Sequence, residues 1–184
     1  MQYVFPHTIE NCNGEKLIFK QVIIEDGEEK LIVENSVKPD CGPPMHTHFL
    51  QDECLTVTHG RLGYQLKGES PQFAGKGETV LFKRGVAHRF WNAGEEDLIC
   101  KGWVKPANTL VFFLTSLYAA QNKSGSERPE TYDGAYLLTR YASEYDLNEI
   151  PFFVKKVILP VTYRIGCLLR KYKQFKNAPQ PVKR

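Results

Sequence analysis

The chain has 184 residues, 42% of them hydrophobic and 24% charged, with 24 Lys and Arg against 21 Asp and Glu. This is enough material for one well-cored domain with a smaller appendage, and eleven Phe, nine Tyr and two Trp exclude wholesale disorder. The net charge of +3 conceals a split: residues 150–184 hold nine basic residues and no acid, which leaves fifteen basic and all 21 acidic residues, a net −6, for residues 1–149.

Five cysteines, Cys12, Cys41, Cys54, Cys100 and Cys167, form no C-x-x-C pair. Their odd number and scattered spacing argue against a disulfide framework and against a cysteine-rich zinc site. They read as buried or inert thiols in a reducing compartment. The stretch Met1–His7 has no basic segment followed by an apolar run, so no secretory signal is expected. No run of 18 apolar residues exists for a spanning helix. A cytoplasmic protein is the expectation.

The first hundred residues read as strands. Leu17–Ile24 is rich in β-branched and aromatic residues, Asp26-Gly27 marks a hairpin turn, and Lys30–Glu34 is the returning strand. Pro39–Pro44 is a rigid loop leading into His46-Thr47-His48. Glu53–Thr58 and Arg61–Leu66 flank a turn at His59-Gly60, and Lys67–Lys76 is a polar loop. Glu78–Phe82, Ala87–Trp91 and Asp97–Val104 complete the set. Short strands at even spacing, punctuated by glycine, fit a sandwich or small barrel.

Beyond Pro106 the pattern changes. Asn108–Ala120 has an Asn cap and the length of a helix, Gln121–Gly134 reads as a surface loop, and Ala135–Tyr145 as a second helix. From Ile150 to Tyr172 apolar residues recur at helical spacing, with Pro160 expected to kink that helix or start a new one. Lys173–Arg184, basic and with two prolines, is expected to fray.

The chemistry concentrates in His46-Thr47-His48 and Glu53. On a strand, the period of two puts both imidazoles on one face, and Glu53 can return from the start of the next strand. His88 lies in a second ordered segment, Gly77–Asn92. Together the two segments resemble the cupin superfamily, in its small single-domain class. Its first motif, G-x5-H-x-H-x3-4-E-x6-G, is matched by His46, His48, Glu53 and Gly60, with Gly42 two residues closer to His46 than the pattern asks. Its second, G-x5-P-x-G-x2-H-x3-N, is matched by Gly77, Gly85, His88 and Asn92, with Lys83 where proline is usual. Both departures fall in turn positions rather than at ligands.

The resemblance implies a mainly β fold, a single jelly-roll barrel over residues 1–106, with a helical extension and basic segment over 107–184. It also implies His46, His48, Glu53 and His88 as ligands of one divalent transition metal. Three imidazoles and a carboxylate suit Fe, Mn, Ni, Cu or Zn, and leave positions open for water or a bidentate substrate. The expected function is a metal-dependent enzyme acting on a small chelating organic substrate, a dioxygenase ahead of an isomerase or lyase, with Glu53 doubling as proton acceptor. The alternative is a non-catalytic small-molecule sensor or carrier, and a third reading is a storage-type structural barrel.

Other polar residues carry blander expectations. His59 reads as a solvated turn residue, His7 has no assigned role, and Asn92 should fix a loop. Cys54 and Asp52 should point away from Glu53, and Cys54 should pack in the core. By parity, Leu55, Val57 and His59 share the side of Glu53, Phe90 and Asn92 share that of His88, and Arg89 and Trp91 face the other way. Gly60 and Gly85 are expected in tight turns. The apolar stripe of 150–172 is expected to pack against the barrel or across a homodimer. An interfacial helix on an anionic membrane is the less favoured reading, and no nucleic-acid partner is expected.

Overall fold

Alternation of buried and exposed side chains along the N-terminal two-thirds of the chain builds two facing antiparallel sheets. In the computed structural model, residues 3–183 are described; Met1, Gln2 and Arg184, which belong to the N-terminal stretch and the basic segment read above, lie outside the described residues. The strands are β1 (His7–Glu10), β2 (Glu15–Glu25), β3 (Glu28–Val37), β4 (His46–His48), β5 (Asp52–His59), β6 (Leu62–Leu66), β7 (Gln72–Ala74), β8 (Thr79–Phe82), β9 (His88–Asn92), β10 (Leu98–Lys105) and β11 (Tyr145–Leu147). One sheet has the order β1-β2-β3-β10-β5-β8, the other β11-β4-β9-β6-β7. Within them, β3-β10-β5-β8 faces β4-β9-β6-β7, the strand order of a jelly roll.

Local chemistry explains the connections. The β2–β3 hairpin turns on Asp26 and Gly27, both in the left-handed region (φ 54° and 78°), which matches the twist of the strands they join. Gly60 and Gly85 take φ of 82° and 79° at the turns where the sequence placed them. Between the sheets, Val37, Leu55, Val57, Leu62, Phe82 and Leu98 form one apolar cluster.

The helices differ from expectation in their boundaries. Helix α1 (Leu110–Ser124) has Thr109 rather than Asn108 at its N-cap position, with no side-chain capping bond, and runs four residues past Ala120 to a left-handed Gly125. Helix α2 (Thr131–Arg140) starts inside the expected loop, because the Glu130 carboxyl accepts the Tyr132 and Asp133 amides, each at 3.0 Å. Glutamate is an uncommon cap, so the sequence did not announce this start. Tyr145 is not helical; it opens β11, which pairs with β4. A π turn (Val154–Ile158) leads into α3 (Leu159–Leu168), with Pro160 in the first turn, where its missing N–H is harmless.

The second core cluster joins both halves of the chain: Phe19, Leu31 and Val104 of the sheet pack with Leu110, Phe113 and Leu117 of α1 and with Tyr141 and Phe175. The segment expected to fray is instead tied down. Phe175 is buried, the Tyr141 hydroxyl donates to the Pro179 carbonyl at 2.7 Å, and the Val182 amide donates to Glu144 Oε1 at 2.9 Å. The stripe on α3 does not pack on the barrel. Gly166 and Tyr163 face inward, and Val161, Ile165 and Leu168 remain exposed.

Candidate metal site

Strand β4 is only three residues long, and its period sends His46 and His48 to the same side while Thr47 turns the other way and donates to Asn148 Oδ1 at 2.9 Å. The strand is held in place by neighbours on both edges. β11 pairs Tyr145 with His48 and Leu147 with His46, and β9 sets His88 directly opposite His46. Glu53 comes from β5 in the other sheet. The site therefore bridges the two sheets: three imidazoles from one meet a carboxylate from the other.

The ring centroids of His46 and His88 lie 4.4 Å apart, those of His46 and His48 5.0 Å, and those of His48 and His88 5.6 Å. His46, His48 and Glu53 each offer one ligand atom within 4.8 Å of the others. Glu53 Oε2 lies 3.4 Å from His88 Nε2 and 3.8 Å from His48 Nδ1. His88 stacks flat on Phe82, and His48 stands edge-on to Tyr145.

Hydrogen bonds orient the rings. His46 Nδ1 donates to the Pro44 carbonyl at 2.8 Å, and His88 Nδ1 donates to the Val86 carbonyl at 3.0 Å. A neutral imidazole has one N–H, so each ring then presents a bare Nε2 lone pair on its other edge. For His88 that lone pair faces the Glu53 oxygen. Two acceptors at this range repel unless a proton or cation lies between them. His48 Nδ1, buried, has no hydrogen-bond partner, which again leaves a donor pair for a cation.

The electrostatics agree with the geometry. Burial, with repulsion from neighbouring histidines, lowers the pKa of His46 to about 3; burial lowers that of His48 to about 4, despite the opposing pull of Glu53. Burial would raise Glu53, but the three imidazoles that crowd it, His88 nearest, outweigh burial and hold the carboxyl at about 2. At neutral pH, His46 and His48 are neutral and Glu53 is ionised, the state in which they bind a cation. The residues present fit a divalent ion.

These groups open onto a cavity of about 130 Å³ with a mostly apolar wall. Leu55 and Phe90 line it, as parity suggested, and Leu110, Phe113, Leu117 and Tyr118, one face of α1, close it. The same cavity holds a second carboxyl that the sequence did not reveal, Glu15 at the start of β2. Glu15 accepts from Asn11 Nδ2 at 3.0 Å and from the Tyr118 hydroxyl at 3.1 Å. Burial pushes its pKa up against both hydrogen bonds. No local spacing signals Glu15, because Tyr118 reaches it only when α1 folds over the sheet.

The remaining expectations resolve simply. Asn92 ties a loop, donating to the Val37 and Glu96 carbonyls at 2.8 and 2.7 Å and accepting from the Gly94 amide. His59 is exposed beside Glu96, at 2.9 Å. Cys54 is buried in the core, and Asp52 turns to Arg84, 3.1 Å away. Arg89 lies over Trp91 on the face away from His88. His7 pairs with the Thr115 hydroxyl at 3.1 Å, outside the site.

Residues 33–104 match the family model described as Cupin domain. Oxidoreductase iacF of Pestalotiopsis fici is 36% identical over 67 residues, which cover 35% of this chain and 33% of that protein. Probable oxidoreductase virH of Hypocrea virens is 31% identical over 67 residues, covering 35% of this chain and 31% of that protein. The match thus spans about a third of the length of these relatives. Among solved structures, KdgF from Halomonas sp. aligns at a TM-score of 0.47 with 15% identity, over 57% of this chain and 90% of that one. A cupin-like protein from Thermotoga maritima aligns at 0.42 with 21% identity, over 50% and 70%.

Proposed function

We propose that this chain, whose residues 33–104 match a cupin-domain model, is a metal-dependent enzyme acting on a small, partly apolar organic molecule that chelates through two oxygens, with dioxygenase chemistry ahead of isomerase or lyase chemistry. The observation that carries this reading is the pair of facing acceptors, His88 Nε2 and Glu53 Oε2 at 3.4 Å, beside the unpartnered Nδ1 of His48. The names of the two partial relatives, both oxidoreductases, support the oxidative choice. The ligands would be His46, His48, Glu53 and His88. Their mixed nitrogen and oxygen set suits Fe, Mn, Ni, Cu or Zn, with iron, manganese, nickel or copper preferred for oxidation. Such an ion supplies Lewis acidity and, where redox-active, a path for reaction with O2.

The chain's own residues do the rest. Glu53, ionised, accepts the proton of a substrate hydroxyl as the substrate enters. Glu15, whose protonated form burial favours, lies on another wall of the cavity and, with Tyr118, would contact the far end of the substrate. This second acid favours an enzyme over a carrier. Leu55, Phe90 and Leu117 exclude water. We place the protein in the cytoplasm, in keeping with its five unpaired cysteines, and infer a homodimer. Ile24 and Leu81, exposed on the six-stranded sheet, are consistent with such pairing, which the mass in solution tests.

The test begins with elemental analysis of the purified protein. Replacing both His46 and His48 with alanine is expected to lower bound metal at least tenfold; unchanged stoichiometry overturns the metal assignment. Oxygen consumption with chelating diols and diketones then separates the chemistries. Uptake that Glu53→Gln abolishes supports the dioxygenase. Tight ligand binding without turnover makes the protein a sensor or carrier.

A further inference from the structure

Beyond Glu149 the chain builds a surface that nothing among the described residues covers. Phe152 and Leu168 are 74% and 83% exposed. Between and beside them, Phe153, Val157, Ile158, Val161, Ile165 and Leu169 also reach solvent. From Val157 onward these positions are spaced one, four, eight, eleven and twelve residues apart, which gathers them on one helical face. The opposite face is the packed one: Gly166 lies so close to the Tyr172 ring that no side chain would fit, and Tyr163 meets Tyr136 and Tyr172. The helix is therefore docked on the protein by its back, with its apolar front outward. Eight large apolar side chains exposed along one segment are a contiguous patch rather than the scattered single residues that an ordinary surface carries.

The charge around this face has one sign. Residues 150–184 carry nine Lys or Arg and no Asp or Glu. Lys156, Arg164, Lys171 and Lys173 are exposed beside the stripe. A symmetric pairing of two copies through this face would set these cations against one another, which argues against a second copy as the occupant. An anionic surface takes both features at once: acyl chains receive the apolar front, and head groups receive the basic rim. No helix among the described residues is long and apolar enough to cross a membrane, so the element would lie in the plane of the interface.

We propose that the segment from Phe152 to Lys173 is a membrane-docking element that seats the protein on anionic phospholipid. The docked element is coupled to the cavity: Lys155 binds both oxygens of Asp146 at 2.8 Å, and Asp146 lies on β11, a wall of the metal site. Docking stands apart from the metal reading, because none of its residues is a candidate ligand.

The experiment is co-sedimentation of the full-length protein with sucrose-loaded vesicles. One set is pure phosphatidylcholine, and the other contains about one-third phosphatidylglycerol. Wild type is expected to bind the anionic vesicles at least tenfold more tightly than the neutral ones, and to release as salt rises. Phe152→Asp with Leu168→Asp should abolish binding while the circular dichroism spectrum and metal content stay unchanged. Should that variant misfold, Lys156→Gln with Arg164→Gln and Lys173→Gln, all at exposed positions, reads the same surface and should lose at least tenfold on anionic vesicles. Wild type left in the supernatant with both vesicle sets overturns the proposal, as does binding that folded variants retain. A dimer that Leu168→Asp dissociates, in a protein that ignores vesicles, assigns the face to a second copy and equally overturns it.

Discussion

Glu53 and Glu15 line one cavity, and their neighbours drive them in opposite directions. Glu53 is surrounded by imidazoles that outweigh its burial and keep it ionised. Glu15 meets only neutral donors, Asn11 and Tyr118, and desolvation prevails. A carboxyl whose pKa in the folded state stands above its unfolded value contributes stability that is present below the unfolded value and is lost as pH rises through the folded one. Glu15→Gln removes that loss. The melting temperature of the variant relative to wild type should therefore rise with pH from about 4 upward, as calorimetry across the range would show; a difference independent of pH contradicts a raised Glu15. The two carboxyls also differ in legibility. His46, His48, Glu53 and His88 were visible in the sequence because strand periodicity and two short motifs tie their spacing to one site. Glu15 was not, because its partner Tyr118 is 103 residues away in sequence.

At the scale of elements, the least legible part is the stretch after α1. The sequence suggested a helix over 135–145, whereas the chain leaves the helix after Arg140 and returns as β11 on the edge of β4. The cause is a tertiary contact. Glu144 is fully buried and accepts from the Thr109 hydroxyl at 2.9 Å, from Gln51 Nε2 at 3.2 Å and from the Val182 amide at 2.9 Å. One side chain thus joins the start of α1, the loop before β5, β11 and the C-terminal segment. Glu144→Ala should orphan these donors and cost about 2–3 kcal/mol in urea denaturation, with a drop in metal retention because β11 supports the histidine strand. A loss below about 0.5 kcal/mol would show the network to be incidental. By contrast the Asp26-Gly27 hairpin and the glycine turns were legible, since each depends only on local backbone preference.

At the scale of the whole molecule, the helical segment is part of the cavity. We treat 1–106 as the barrel and 107–184 as its extension, yet Leu110, Phe113, Leu117 and Tyr118 of α1 close the space beside the histidines. The same helix covers Phe19, Leu31 and Val104 on the six-stranded sheet. A chain ended at residue 106 should therefore expose this apolar sheet face and aggregate, as size-exclusion chromatography would reveal; a monodisperse, metal-loaded 1–106 would show the barrel to be self-sufficient. The amino-acid sequence by itself determined the strands, their turns, the four ligand candidates and the separation of charge, because each is written in periodicity, turn chemistry, short motifs or composition and needs no knowledge of which faces pack together. Only the tertiary structure decided which faces meet. It brought Glu15 into the cavity, turned Tyr145–Leu147 into a strand, and left the apolar front of α3 uncovered by any of the described residues. Those outcomes depend on contacts between residues far apart in the chain, and an amphipathic pattern states that a face is apolar without stating what will cover it.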